Sequence, residues 1–207
     1  MSNPHSNSSF TLEAQTPLNG FSKSFDGIQV SELLGHSLVS MAMPEDKKSA
    51  LVENIKAAYK TDLPEVGKFT ISAIDNTHIL GLQQEQCFVL FENEAVYKNG
   101  NAVSHIQEKT KDAAYLSDQS DSWAMLKISG ENAISALERV CPINLHPTSD
   151  PSSFDTFSVT RTSMEYLGVI IMQLSKQGAE NEYLLFSPRS SADSFLHMIL
   201  TSIENVS

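Results

Sequence analysis

Five side chains in the second half of the chain have the types and settings that attract chemistry. Cys141, Asn144 and His146 fall within seven residues, Cys141-Pro142-Ile143-Asn144-Leu145-His146-Pro147. Arg161 stands in a strand-like run between Thr160 and Thr162, and Arg189 precedes the last helical pattern. Each has a chemical reading and a plainer one. His146 is a polar contact to a ligand or neighbouring subunit, or a loop histidine whose ring satisfies nearby backbone. Arg161 suits a carboxylate, including one on another chain, or simply faces solvent on a strand. Arg189-Ser190 stands where free helix N–H groups attract an anion, or where they are merely capped. Asp118 and Asp121 flank the start of the Trp123 strand, and two acids there suggest acid–base partners or turn formers. Trp123 reads as core rather than as a ligand platform.

None of these amounts to a catalytic constellation. The chain has no GxGxxG and no GxxxxGK[ST], so the common dinucleotide and phosphate cradles are absent. It has no GxSxG, no HExxH and no EF-hand loop. The six His are dispersed, and Cys87 and Cys141 form neither a CxxC nor a Cys/His cluster. Two distant thiols imply no zinc site; they read as reduced, buried thiols of a cytoplasmic protein. The expectation is no catalytic, cofactor-binding or metal-binding residue on this chain, with Cys141, Asn144, His146, Arg161 and Arg189 as candidate subunit contacts.

The composition narrows the partners. The net charge of −11 over 207 residues comes with no basic stripe, which argues against nucleic acid. The longest apolar run, Leu167 to Met172, is too short to span a bilayer, so no membrane association is expected. No basic region followed by an apolar one opens the chain, which argues against a secretory signal. The 41% apolar share is enough for a core.

The elements that must position these residues follow from periodicity. Residues 1–27 are Ser-, Asn- and Pro-rich and read as a flexible N-terminal arm. Residues 28–207 read as one domain of two halves, 28–93 and 115–207, with a polar connector over 94–114. In the first half a strand over 37–43 precedes a helix over 44–60, opened by Pro44 and marked by Leu51, Ile55, Ala58 and Tyr59. Strands over 68–74, 78–82 and 86–92 follow, with Asp75-Asn76 as a turn. The second half repeats that order. A strand over 123–128 ends at Ser129-Gly130. A helix over 131–141 carries Ile134, Leu137 and Cys141 on one face and stops before Pro142. Strands over 157–164, 167–174 and 182–186 and a helix over 191–203 complete it. The fold class is α+β, two strand-helix-strand-strand-strand units packed together, because neither half is large enough for a core of its own.

The wording of the second half resembles the gamma subunit family of heterotetrameric sarcosine oxidase. The resemblance rests on Asp118-Gln119-Ser120-Asp121-Ser122-Trp123, on Leu126-Lys127-Ile128-Ser129-Gly130 and on Ala136 to Pro147. Arg161-Thr162-Ser163-Met164 and Pro188-Arg189-Ser190-Ser191-Ala192-Asp193 continue it in order. It is strong from Asp118 to about Leu200 and faint over 33–91. It implies a fold similar to the aminomethyltransferase and YgfZ-type folate-binding proteins. It implies alpha, beta and delta subunits as partners in a complex that oxidatively demethylates sarcosine to glycine. FAD, FMN, NAD, zinc and tetrahydrofolate then belong to the whole complex, and the gamma chain is structural. Two alternatives stay open: a subunit of a sister N-methyl amino acid dehydrogenase of the N-methylglutamate type, and a stand-alone folate-binding aminomethyltransferase-like protein.

Overall fold

Alternation in Gln86 to Glu92 sends Phe88 and Leu90 to one side and Cys87, Val89 and Phe91 to the other, and all five are buried. A strand buried on both faces needs a layer on each side, and the computed structural model, which describes residues 15–92, 101–146, 154, 157–175 and 181–206, supplies them. The strands are β1 (Ser22–Phe25), β2 (Ile28–Glu32), β3 (His36–Ala42), β4 (Phe69–Ile71), β5 (His78–Gln83), β6 (Gln86–Glu92), β7 (Tyr115–Asp118), β8 (Trp123–Gly130), β9 (Val159–Met164), β10 (Leu167–Ser175) and β11 (Asn181–Pro188). The helices are α1 (Lys48–Tyr59), α2 (Ala102–Thr110), α3 (Ala133–Leu137) and α4 (Ala192–Glu204).

The strands form two antiparallel sheets, ordered β1-β2-β8-β11-β10-β9 and β4-β5-β6-β3-β7. The first is called sheet A here and the second sheet B. Between the sheets lie Leu38, Leu80, Phe88 and Leu90 of B against Met125, Ile170, Leu184 and Phe186 of A. Leu51, Ile55 and Tyr59 of α1 and Ile106 of α2 cover the outer face of B. Ile134 and Leu137 of α3 and Phe195 and Ile199 of α4 cover the outer face of A. The result is four layers, helix–sheet–sheet–helix.

The repeat expected from the element order is a repeat of topology. Strand, helix and three-stranded meander give β3-β6-β5-β4 in one half and β8-β11-β10-β9 in the other, antiparallel throughout. The strand just ahead of each unit crosses to the other sheet. β2, which precedes β3, pairs with β8 through Gln29↔Ser129 to Glu32↔Leu126. β7, which precedes β8, pairs with β3 through Val39↔Asp118 to Ala42↔Tyr115. This reciprocal exchange was not read from the sequence. The sheets also meet where Lys68 bridges Ser158, with Phe69 N–H donating to Phe157 O at 2.9 Å and Val159 N–H donating to Gly67 O at 2.9 Å.

Several boundaries differ from expectation. The helix expected over 131–141 is confined to Ala133–Leu137. Leu137 O accepts from both Val140 N and Cys141 N, at 3.1 and 2.8 Å, so the chain winds down in turns before Pro142. The apolar face survives, with Ile134, Leu137 and Cys141 all buried. The strand expected over 68–74 keeps only Phe69–Ile71, because Ser72 Oγ and Asp75 Oδ1 accept local backbone N–H groups and divert the chain into a turn. Within the 94–114 interval α2 is capped by Asn101, whose Oδ1 accepts from Ser104 N at 2.8 Å. Of the 1–27 arm, residues 1–14 lie outside the described residues, while 17–20 make a turn and Ser22–Phe25 form β1. Positions 93–100 and 147–153 also lie outside, including Pro147.

Candidate functional site: two arginines around Trp123

The β7–β8 connection hands the chain from sheet B to sheet A. Asp118 Oδ1 accepts from Ser120 N at 2.9 Å and from Ser120 Oγ at 2.7 Å. Leu38 N donates to Ser120 Oγ at 3.1 Å, and Gln119 N donates to Leu38 O at 2.8 Å. Asp118 is therefore spent on the turn. Asp121 is fully exposed and lies 3.6 Å from Arg189 Nη1. The two acids share no site, which removes the acid–base pair.

The connection delivers Trp123 to the rim of the inter-sheet core. Its ring meets Phe88 of sheet B edge-on, with centroids 6.1 Å apart. Arg161, on β9 opposite Ile170, places its guanidinium carbon 5.4 Å from the Phe88 centroid and 6.0 Å from that of Trp123. Partial burial lowers the Arg161 pKa, since desolvation disfavours the cation. Beside it, Gly168 pairs with Ser163, and no atom lies within 4 Å of where its Cβ would stand.

Behind Trp123 is a cleft of about 320 Å³ lined by Thr16, Glu32, Leu33, His36 and Arg189 among others. Arg189 Nη2 donates to Gln15 O at 2.8 Å, so this arginine holds the start of the described chain. Glu32 is the residue that sequence reasoning missed. It is 7% exposed, and its carboxylate accepts from Thr16 Oγ1 at 2.8 Å, Leu18 N at 3.0 Å and Gly20 N at 2.7 Å. The signal was available: Ile28, Val30 and Glu32 alternate, and an acid in a buried register needs donors brought to it. A pterin would need a free carboxylate in such a cleft. Glu32 is taken up by the 16–20 turn, and Asp118, whose Oδ1 serves Ser120, is not among the residues lining the cleft, so neither offers a pterin a free carboxylate there.

The other candidates form a separate group beyond α3. Cys141 is 4% exposed and packs in the outer core of sheet A; burial pushes its thiol pKa up, partly offset by a backbone hydrogen bond at Ile143. Asn144 Oδ1 accepts from His146 N at 3.1 Å, and His146 Nε2 lies 2.7 Å from Glu138 Oε2. Asn144 and His146 thus face outward while Cys141 does not. Among the described residues no group of three His, Cys, Asp or Glu is placed to hold a metal ion, and no helix is long and apolar enough to cross a membrane.

No protein-family profile and no curated protein sequence matches the chain. Solved structures do. The chain is similar to one in heterotetrameric sarcosine oxidase from Corynebacterium sp. U-96 in complex with pyrrole 2-carboxylate, at TM-score 0.67 and 17% identity, covering 86% of this chain and 84% of that one. It is also similar to glycine cleavage system aminomethyltransferase T from Bartonella henselae, at TM-score 0.64 and 11% identity, covering 90% of this chain. It spans 57% of that aminomethyltransferase. The class is therefore the α+β double-sheet fold of the aminomethyltransferase kind. Within it, the sarcosine oxidase chain is matched over most of its own length as well as most of this one.

Proposed function

We propose that this chain is the gamma-type, non-catalytic subunit of a heterotetrameric sarcosine oxidase-like complex, which demethylates sarcosine to glycine in the cytoplasm. One observation carries the reading. The match to the sarcosine oxidase chain covers more than four fifths of both chains, whereas the aminomethyltransferase extends well beyond the shared fold. The resemblance from Asp118 to about Leu200 supports the same reading. Alpha, beta and delta subunits would be the partners and would carry the FAD, FMN, NAD, zinc and tetrahydrofolate chemistry. This chain would stabilise them by burying surface, with Asn144, His146, Arg161 and Arg189 as contacts.

The test is a pull-down of the tagged chain from native lysate. Yellow, flavin-bearing proteins that co-elute and oxidise sarcosine are the expected result. Oxidation of N-methylglutamate instead would move the assignment to the sister dehydrogenase. The aminomethyltransferase likeness supports a second reading, a stand-alone folate-binding protein. A colourless single species that binds tetrahydrofolate at micromolar concentration would replace the first reading with the second.

A further inference from the structure

Arg161 is held over two aromatic rings with no acid beside it among the described residues. The chain carries 25 acidic against 14 basic residues, yet Arg161 makes no ion pair with any described residue. The Phe88 and Trp123 rings hold its charge but offer no oxygen to its N–H groups. The side chain is exposed, and the space over Gly168 beside it is open. Its strand, β9, ends sheet A.

We propose that Arg161, steadied by Phe88 and Trp123, is a socket for an aspartate or glutamate side chain of a partner polypeptide. This rests on the assembly reading above. Charge complementarity selects the carboxylate, because a guanidinium that keeps its planar fork free accepts one bidentately. The open shape selects a protein over a small molecule. Small-molecule sites enclose most of the ligand, while Arg161 is exposed and the space over the neighbouring Gly168 is open. Arginine and tryptophan are among the residue types enriched at protein-interface hot spots. Holding the guanidinium on two rings also reduces the side-chain entropy lost on docking.

The experiment measures the dissociation constant between this chain and its flavin-bearing partner for the wild type, Arg161→Met, Arg161→Lys and Lys48→Met. Arg161→Met is expected to weaken assembly about tenfold or more. Arg161→Lys is expected to restore only part of that loss, because lysine keeps the charge and loses the fork. Lys48→Met removes the same charge from the far side of sheet B and is expected to change nothing. The melting transition and Trp123 fluorescence of each isolated variant report whether it folds; Trp123 is the single tryptophan. A folded Arg161→Met that assembles within twofold of wild type overturns the socket and leaves the assembly reading standing. A wild-type chain that captures no partner overturns both. Saturable quenching of Trp123 fluorescence by micromolar benzoate, lost in Arg161→Met, would assign the site to a small carboxylate and overturn the protein occupant.

Discussion

β2 and β7 hold the same place in the two halves, each a short strand donated to the opposite sheet, yet they are secured very differently. Ile28, Val30 and Glu32 of β2 are buried, and β1 continues the sheet beyond them. Glu32 then ties down the 16–20 turn through three hydrogen bonds. β7 is four residues long and mostly exposed, ends sheet B and leaves Tyr115 71% exposed. One topology thus carries two degrees of anchoring: the donation into sheet A is a structural joint, and the donation into sheet B is a light clasp.

The largest test of that contrast is at glycines approached by a passing backbone. Gly130 has φ +126, and an ideal Cβ there would stand 2.1 Å from Gly27 O, at the β1–β2 turn. Gly130→Ala is expected to cost about 4 kcal/mol or prevent folding, since strain and overlap add. In sheet B a Cβ on Gly81 would stand 2.3 Å from Glu65 O, without the positive φ. Gly81→Ala is expected to cost about 3 kcal/mol, less than Gly130→Ala because no left-handed strain adds to the overlap, although the Glu65–Lys68 backbone bonded to Gly81 must move. Equal losses in urea melts would break the contrast.

Next comes the carboxylate. Glu32→Ala leaves buried donors behind and is expected to cost about 3 kcal/mol, with proteolytic nicking near residues 16–20 as a second readout. Asp118→Ala removes an exposed turn on the β7 side and is expected to cost about 1 kcal/mol or less. If Asp118→Ala costs as much as Glu32→Ala, the light clasp is no such thing.

A smaller effect is pH-dependent and belongs to the sheet B half. His78 has its pKa lowered by burial first and by His36 second, against a backbone hydrogen bond at Asn76 that raises it. His105 is lowered by burial and then by Lys109, with Asp75 and Glu108 opposing. In both, the unfolded chain takes up a proton at a higher pH than the folded one. Their stability is complete above about pH 6.5 and is lost as pH falls from there through the folded values. His78→Leu is expected to flatten the slope of stability against pH between about 7 and 5; an unchanged slope would remove His78 from the account.

The smallest effect should be the same on both sides. Tyr59 against the outer face of B and Tyr183 against that of A are fully buried, and neither hydroxyl has a partner among the described residues. Tyr59→Phe and Tyr183→Phe are each expected to change stability by under about 1 kcal/mol, toward the favourable side.

Much of this fold was legible because period-two runs such as Gln86 to Glu92, and helix faces such as Leu51, Ile55 and Tyr59, carry their own geometry. The exchange was not legible, because which sheet a strand joins is decided by partners about a hundred residues away, and no local pattern records that. β1 and the 17–20 turn were hidden in a polar stretch whose order depends on one acid at Glu32. The candidate site was half legible. Arg161 and Trp123 stood out by type, but Phe88 read as ordinary core until the two sheets brought it beneath the guanidinium. Cys141 carried two readings, a buried thiol on a helix face and a contact residue, and its 4% exposure favours the first.

The exchange of β2 and β7 also sets a timetable for synthesis. β2 leaves the ribosome with only β1 to pair with and waits until Trp123–Gly130 has been made, so sheet A is closed by pairings of long sequence separation. During that interval Ile28 and Val30 form an unpaired apolar edge of the kind that invites aggregation. A chain severed between 93 and 100 would give two fragments that each hold the strand the other lacks, and co-expression of the two should recover a soluble pair where either alone does not.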